Sequence, residues 1–262
     1  MSPVNTEMSV TILGSGTCVP SLSRSACAVL VKIKNQVLLF DSGAGTIRRL
    51  LETRTKISDI THLFYSHLHP DHTGELVSLL FATKYSGDPP RRSPLNILAG
   101  KGFSAFYRGL KSVYGEWIEL APGLLNIDEL DNTAHDTRRC SDFTVDSMPV
   151  QHNDESIAYR ITGPGGFSVV YSGDTDYTDN LIALAENADI FICESALPDG
   201  LKAKGHLTPS LAGEMATRAN VRKLVLTHFY PECDHADIAG ECRKTYAGPL
   251  VLAEDLMAID TG

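Results

Sequence analysis

Ser66-His67-Leu68-His69-Pro70-Asp71-His72 places three imidazoles and a carboxylate within six residues, between an apolar run that reads as a strand (60–65) and a segment with helical spacing (72–85). Pro70 disfavours a helix through 67–69, so these side chains are expected to converge from a loop at the end of the strand. Imidazole nitrogen and carboxylate oxygen are the ligands that Zn²⁺, Mn²⁺ and Fe favour. Exposed histidines have no physical reason to gather at a strand end, so the stretch predicts a metal centre.

Working outward, the same arrangement recurs. His152 follows the apolar run 143–150, Asp174 follows 167–171 through Ser172-Gly173, and His228 follows 223–226 through Thr227. Each polar residue ends a run rich in β-branched side chains, and rigid strand ends position a site well. Gly173 lets the backbone approach closely before Asp174. Taken singly, a histidine after a strand is more often an ordinary loop residue. The joint set of His67, His69, Asp71, His72, His152, Asp174 and His228 is what predicts a site for two metal ions. His62, His135 and His235 lack this context and read as structural or surface groups.

Strand-like runs at 9–13, 28–33, 36–40, 60–65, 96–98, 143–150, 157–161, 167–171, 190–193, 223–226 and 250–253 alternate with helical spacing at 46–53, 72–85, 102–113, 179–186, 209–219 and 236–245. That alternation predicts a layered α/β fold. Thr208 before Pro209 reads as an N-cap followed by proline at the first helical position. The stretch 86–94 reads as a surface loop, and no linker follows it, so residues 1–262 are expected to form a single domain. Tyr-Ser ends two apolar runs, at 65–66 and 171–172, a weak echo of a duplicated half.

With 262 residues, 43% of them apolar, the chain can bury a core without disulfides or a structural metal, so any metal is expected to be functional. The six cysteines (Cys18, Cys27, Cys140, Cys193, Cys233, Cys242) include no Cys-x-x-Cys pair and read as reduced, mostly buried thiols. Residues 1–7 do not resemble a secretory signal, and no apolar stretch reaches the roughly 20 residues that span a bilayer. A soluble, cytoplasmic protein is the expectation. A formal net charge of −9 opposes general attraction of a polyanion. Arg91-Arg92 and Arg138-Arg139 read as solvated surface, whereas Lys202 and Lys204, just before His206, are placed to meet an anionic small-molecule substrate.

The segments Leu13-Gly14-Ser15-Gly16-Thr17, Phe40-Asp41-Ser42-Gly43-Ala44-Gly45, the 67–72 cluster, His152, Ser172-Gly173-Asp174-Thr175, Gly205-His206-Leu207-Thr208, Leu226-Thr227-His228-Phe229 and Leu252-Ala253-Glu254-Asp255 together resemble the metallo-β-lactamase fold, in its ribonuclease Z-like and phosphodiesterase-like branch. They run from residue 13 to residue 255. The resemblance implies a four-layer αββα sandwich. It also implies two divalent ions, zinc before manganese or iron. One would be held by His67, His69 and His152, the other by Asp71, His72 and His228, with Asp174 bridging. Asp41 resembles the family's buried aspartate beneath the site, where a carboxylate commonly fixes metal-bound histidines.

The same resemblance gives the chemistry. A water bridging two divalent ions becomes a hydroxide near neutral pH, with Asp71 able to orient it. His206 resembles a histidine that contacts the substrate's phosphate and assists the leaving group, and Glu194 could orient it. The chain departs from ribonuclease Z between His152 and Asp174, where transfer-RNA-processing members insert a long arm and this sequence has a short hairpin. A small or nucleotide-derived phosphodiester is therefore the expected substrate. Transfer-RNA 3′ processing, with an arm supplied elsewhere within 86–108, is the alternative, as is hydrolysis of a sulfate ester, lactone or thioester. A non-catalytic metal-binding domain comes last. RNA is a possible but disfavoured partner, no membrane is expected, and a homodimer is implied by family alone.

Overall fold

The computed structural model describes residues 8–85 and 91–261, so residues 1–7 and the first part of the expected loop at 86–94 lie outside the described residues. The first half of the chain runs β1 (Met8–Gly14), β2 (Ala28–Ile33), β3 (Gln36–Phe40), α1 (Thr46–Glu52), β4 (His62–Tyr65), α2 (Pro70–Thr73), α3 (Leu76–Tyr85), β5 (Leu95–Gly100), α4 (Phe103–Tyr114) and β6 (Leu125–Leu130). The second half continues with β7 (Asp136–Arg139), β8 (Thr144–Pro149), β9 (Ile157–Thr162), β10 (Ser168–Tyr171), α5 (Asp179–Leu184), β11 (Ile190–Glu194), α6 (Pro209–Arg218), β12 (Leu224–Thr227), α7 (Ile238–Cys242), β13 (Leu250–Leu252) and β14 (Met257–Ile259).

Two seven-stranded sheets result, ordered β14-β1-β2-β3-β4-β5-β6 and β13-β12-β11-β10-β9-β8-β7. In each, an antiparallel meander turns into parallel strands, at β3 in the first sheet and at β10 in the second. Parallel neighbours need crossovers, and the helices between them supply these and cover the outer faces. The side chains obey the period of two that this packing demands. Val29, Val31, Phe40 and Phe64 face the second sheet, while Ala28, Leu30, Leu39, Leu63 and Tyr65 face outward into the apolar layer that also holds Leu76, Leu80 and Phe103. Between the sheets Phe40 stacks on Phe64 at 4.6 Å, and Tyr159 meets Phe64 edge-on at 5.2 Å. The Tyr159 hydroxyl, fully buried, donates to the carbonyls of Tyr65 (2.8 Å) and Leu98 (3.1 Å), which ties the sheets together without leaving a polar group unpaired. This is the αββα sandwich of the metallo-β-lactamase type.

Several expectations need correction. The strands β6, β7 and β14 escape the apolar-run reading. All three are sheet edges, and β6 (Leu-Asn-Ile-Asp-Glu-Leu) and β7 (Asp-Thr-Arg-Arg) keep polar side chains in water. The helical spacing at 72–85 divides at residues 74–75 into α2 and α3, and a Cβ on Gly74 would meet the Pro70 carbonyl oxygen at 2.5 Å. Helix α6 begins at Pro209, but the Thr208 side chain makes no cap; Asp199 Oδ1 accepts from the Ser210 amide at 3.1 Å instead. The two Tyr-Ser junctions end β4 and β10, which hold different places in their sheets, so they do not mark a repeat. Among the described residues no helix is long and apolar enough to cross a membrane.

Candidate active site

The strand ends β3, β4, β10 and β12 and the loops after β8 and β11 meet at one rim of the sandwich. Asp41 follows β3 with a left-handed backbone (φ 55°), as does His228 after β12 (φ 62°), a conformation L residues adopt at a cost. Both turns aim a polar side chain back toward the space between the sheets. Gly173 also has positive φ (57°), and a Cβ on it would lie 2.4 Å from that of Ser66. Glycine at 173 is thus what brings Asp174 against the loop after β4.

Donor atoms of His67, His69, His152 and Asp174 lie within 4.8 Å of one another, and so do those of Asp71, His72, Asp174 and His228. Asp174 is common to both groups. Its Oδ1 is 3.2 Å from His72 Nε2, and its Oδ2 is 3.3 Å from His228 Nε2, 3.7 Å from His67 Nε2 and 3.9 Å from His152 Nε2. All the sequence-selected residues therefore come together, in the two groups that the resemblance implies.

Groups facing away from the centre set the orientation of each ring. His72 Nδ1 lies 2.7 Å from Asp41 Oδ2, His67 Nδ1 lies 3.0 Å from Ser66 Oγ, and that hydroxyl donates to Asp41 Oδ2 at 2.8 Å. The Ser66 amide donates to Asp41 Oδ1 at 2.8 Å, so the aspartate is filled on both oxygens. His152 Nδ1 donates to the Gly205 carbonyl at 2.8 Å. His69 places Nδ1 3.2 Å from His152 Nε2 and Nε2 3.1 Å from the amide of Asn153. In His67, His72 and His152, once Nδ1 carries the proton, Nε2 of the neutral ring keeps a lone pair directed inward, whereas His69 gives Nε2 to Asn153 and turns Nδ1 toward His152.

Four of the inward atoms have no partner. Nε2 of His67, His72 and His228 and Oδ1 of Asp174 are buried without a hydrogen bond, which a protein interior rarely tolerates. Burial pushes His67 well below the ordinary imidazole pKa and His228 down to about 4, so both rings are neutral. Burial also opposes charge on His72 and Asp174. Even so, Asp174 and Asp41 hold His72 well above its usual value, and His228 and His72 hold the Asp174 carboxyl well below. Lone pairs and a buried carboxylate converging on one space are compensated by cations. The donor set fits divalent metal, which the fold implies.

His206 stands beside this centre, its Nδ1 3.1 Å from Glu194 Oε1 and 4.0 Å from Asp174 Oδ2, with the ring stacked 5.6 Å from that of His228. Glu194 is buried at the end of β11, where its oxygens also accept from the amides of Thr175 (2.7 Å) and Leu207 (3.0 Å). Burial raises the Glu194 carboxyl to about 7. Burial works against the His206 imidazolium, but Glu194 lifts it to about 8, so the two titrate as a pair. Lys202 is not free to meet an anion, since its ammonium is paired with Asp176 at 2.9 Å. Lys204 is exposed. Beside Asp71 opens a cavity of about 460 Å³, walled by Thr17, Val19, Pro20 and Pro70.

Sequence reasoning missed Ser66, Tyr171, Cys27 and Asn153 as groups that touch the ring nitrogens or Asp41. Ser66 and Asn153 adjoin selected histidines and were within reach of it. Tyr171 and Cys27 lie in apolar runs and carry no local signal. The other histidines stay apart from the centre: His62 packs edge-on against Phe143 at 5.2 Å, and His135 pairs with Asp146 at the surface.

Comparison with known proteins agrees with this geometry. The beta-lactamase superfamily domain model matches residues 37–229. An uncharacterized protein of Mycobacterium tuberculosis is 31% identical over 245 residues, covering 92% of this chain and 88% of that one. The ribonuclease Z of Methanothermobacter thermautotrophicus is 26% identical over 309 residues, covering 97% of this chain and 96% of that one. The crystal structure of the short form of human tRNase Z superposes with a TM-score of 0.78 at 27% identity, over 97% of this chain and 99% of that one. By sequence, fold and the architecture of its site, the chain belongs to the metallo-β-lactamase superfamily, in the ribonuclease Z-like branch, and is a metal-dependent hydrolase.

Proposed function

We propose that the protein is a phosphodiesterase acting on a small or nucleotide-derived phosphodiester with two divalent ions, zinc being the first expected. His67, His69 and His152 would hold one ion, Asp71, His72 and His228 the other, and Asp174 would bridge them. The observation that carries this reading is the convergence of buried, partnerless donor atoms on one space. Bound there, divalent ions would supply Lewis acidity to a phosphoryl oxygen and acidify water at neutral pH. Asp71, half-buried at the start of α2, is positioned to orient the attacking water and accept its proton. His206 keeps Nδ1 on Glu194, which leaves Nε2 to contact the phosphoryl group and to protonate the leaving oxygen.

Four observations favour a small substrate over transfer RNA. The segment where an RNA-gripping arm would stand is the tight turn 163–167 between β9 and β10. The alignment with ribonuclease Z is 309 residues long although the chain has 262, so many of its positions have no counterpart here. The cavity beside Asp71 is the size of a small-molecule site. Residues 91–108, where another arm could have arisen, are largely the sheet strand β5 and the start of α4. A homodimer belongs to the same reading and is tested by light scattering.

The test is metal content together with hydrolysis of bis(p-nitrophenyl) phosphate. Two ions per chain and diesterase activity that Asp174→Ala abolishes are expected, and His206→Ala should lose turnover while keeping its metal. Efficient 3′ cleavage of precursor transfer RNA with no turnover of small diesters would overturn the substrate assignment. A metal-loaded protein inert on both would redirect it to sulfate esters, lactones and thioesters.

A further inference from the structure

Cys27 reads in the sequence as a small hydrophobe, and it is 2% exposed on the strand flank next to His228, itself 1% exposed. The Cys27 Sγ lies 3.2 Å from His228 Nδ1. The other ring nitrogen, Nε2, is one of the partnerless atoms facing Asp174. A neutral ring that offers its Nε2 lone pair inward must carry its proton on Nδ1, and there it meets sulfur, a weak acceptor. The Tyr171 hydroxyl donates to Asp41 Oδ2 at 2.7 Å.

Asp41 already orients His72 directly and His67 through Ser66. The His228 ring packs against those of His72, His206 and Tyr230, and the contact at Nδ1 is the one that can set its tautomer. We propose that Cys27 is a positioning residue for metal: its sulfur accepts the Nδ1 proton of His228 and so sets the tautomer and aim of that imidazole, as Asp41 does for His72 and, through Ser66, for His67. This rests on the ligand assignment made above. It separates His228, held by a soft neutral acceptor, from His72, held by a carboxylate. The ion bound by His228 is accordingly the one sensitive to position 27.

Cys27→Val and Cys27→Ser separate positioning from packing. Valine fills the space and cannot accept a hydrogen bond, whereas serine accepts and donates but packs less well. Zinc stoichiometry and affinity would be measured by competition with a chromophoric chelator, alongside the melting temperature of the metal-free proteins. The expected result is that Cys27→Val melts like the wild type without metal but binds one of its two ions about tenfold or more weakly, while Cys27→Ser binds both within a few-fold of the wild type. Equal zinc affinities in Cys27→Val and the wild type would overturn the proposal. So would a loss in Cys27→Ser with none in Cys27→Val, which is the signature of packing alone. A wild-type protein that binds fewer than two ions would instead overturn the ligand assignment on which the proposal stands.

Discussion

A histidine's role in this protein is decided by what meets its second nitrogen. In the central cluster those partners are Asp41, Ser66, Gly205 and Cys27, each on the side away from Asp174. His206 instead gives Nδ1 to Glu194, and that charge is why its imidazolium persists to about pH 8. If this imidazolium protonates the leaving oxygen, activity falls as pH rises through the His206 pKa. Removing the negative charge with Glu194→Gln should lower that pKa, so the alkaline limb of the pH profile of kcat should move to lower pH. His62 shows the contrasting case of a half-buried ring without an anion. Burial depresses it to about 4, whereas the unfolded chain takes up a proton near the ordinary value of about 6.5. Between these values the unfolded state binds the extra proton, so stability should fall as pH drops from about 6.5 to about 4 and level off below. The cost is up to about 3 kcal/mol. Urea unfolding across that range should show this slope in the wild type and a flatter one in His62→Gln.

At the scale of elements, loops rather than helices carry the chemistry, and a few backbone positions hold those loops in place. Gly173 is one of them, because both its positive φ and the approach of Ser66 exclude a side chain. Gly173→Ala should destabilise the fold by about 2 kcal/mol or more through backbone strain alone, and should reduce metal binding by displacing Asp174. Chemical denaturation of the metal-free protein isolates the first effect, and zinc titration reads the second. Helix α6 follows the His206 loop, and its first turn is capped from outside by Asp199, whose other oxygen pairs with Lys244 at 3.0 Å. Asp199→Ala should cost about 1 kcal/mol, the usual loss for a cap, with little change in zinc affinity.

For the whole molecule, the metal centre joins residues from both sheets, so metal and fold are thermodynamically linked. Ions that bind the folded chain alone add stability that grows with the logarithm of their concentration, about 4 kcal/mol at a thousandfold excess over Kd. A chelator should lower the melting temperature by roughly 10 °C, given about 2–4 °C per kcal/mol for a chain of this size, and added zinc should restore it. The apolar core between the sheets does not depend on metal, so the chelated protein should remain folded at room temperature. Loss of far-ultraviolet circular dichroism on chelation at 25 °C would contradict this.

Eleven of the strands were legible as apolar runs with turn residues beside them, because a buried strand must show a continuous or alternating apolar pattern whatever its neighbours are. The ligand cluster was legible for a related reason: polar residues that end such runs lie at strand ends, where sites form. Edge strands β6 and β7 were not, since their polar side chains satisfy water rather than a core. The sequence by itself determined the layered fold and the set of residues that converge, which follow from local pattern and spacing, and its motifs carried the resemblance that implied the family. Tertiary structure alone decided which nitrogen of each histidine faces inward, and that Tyr171 and Cys27 take part. Those facts depend on contacts such as Cys27 with His228 and Tyr171 with Asp41, between residues 201 and 130 positions apart in the chain. No local pattern can encode such a contact, because the partner's position is fixed only when the two sheets pack.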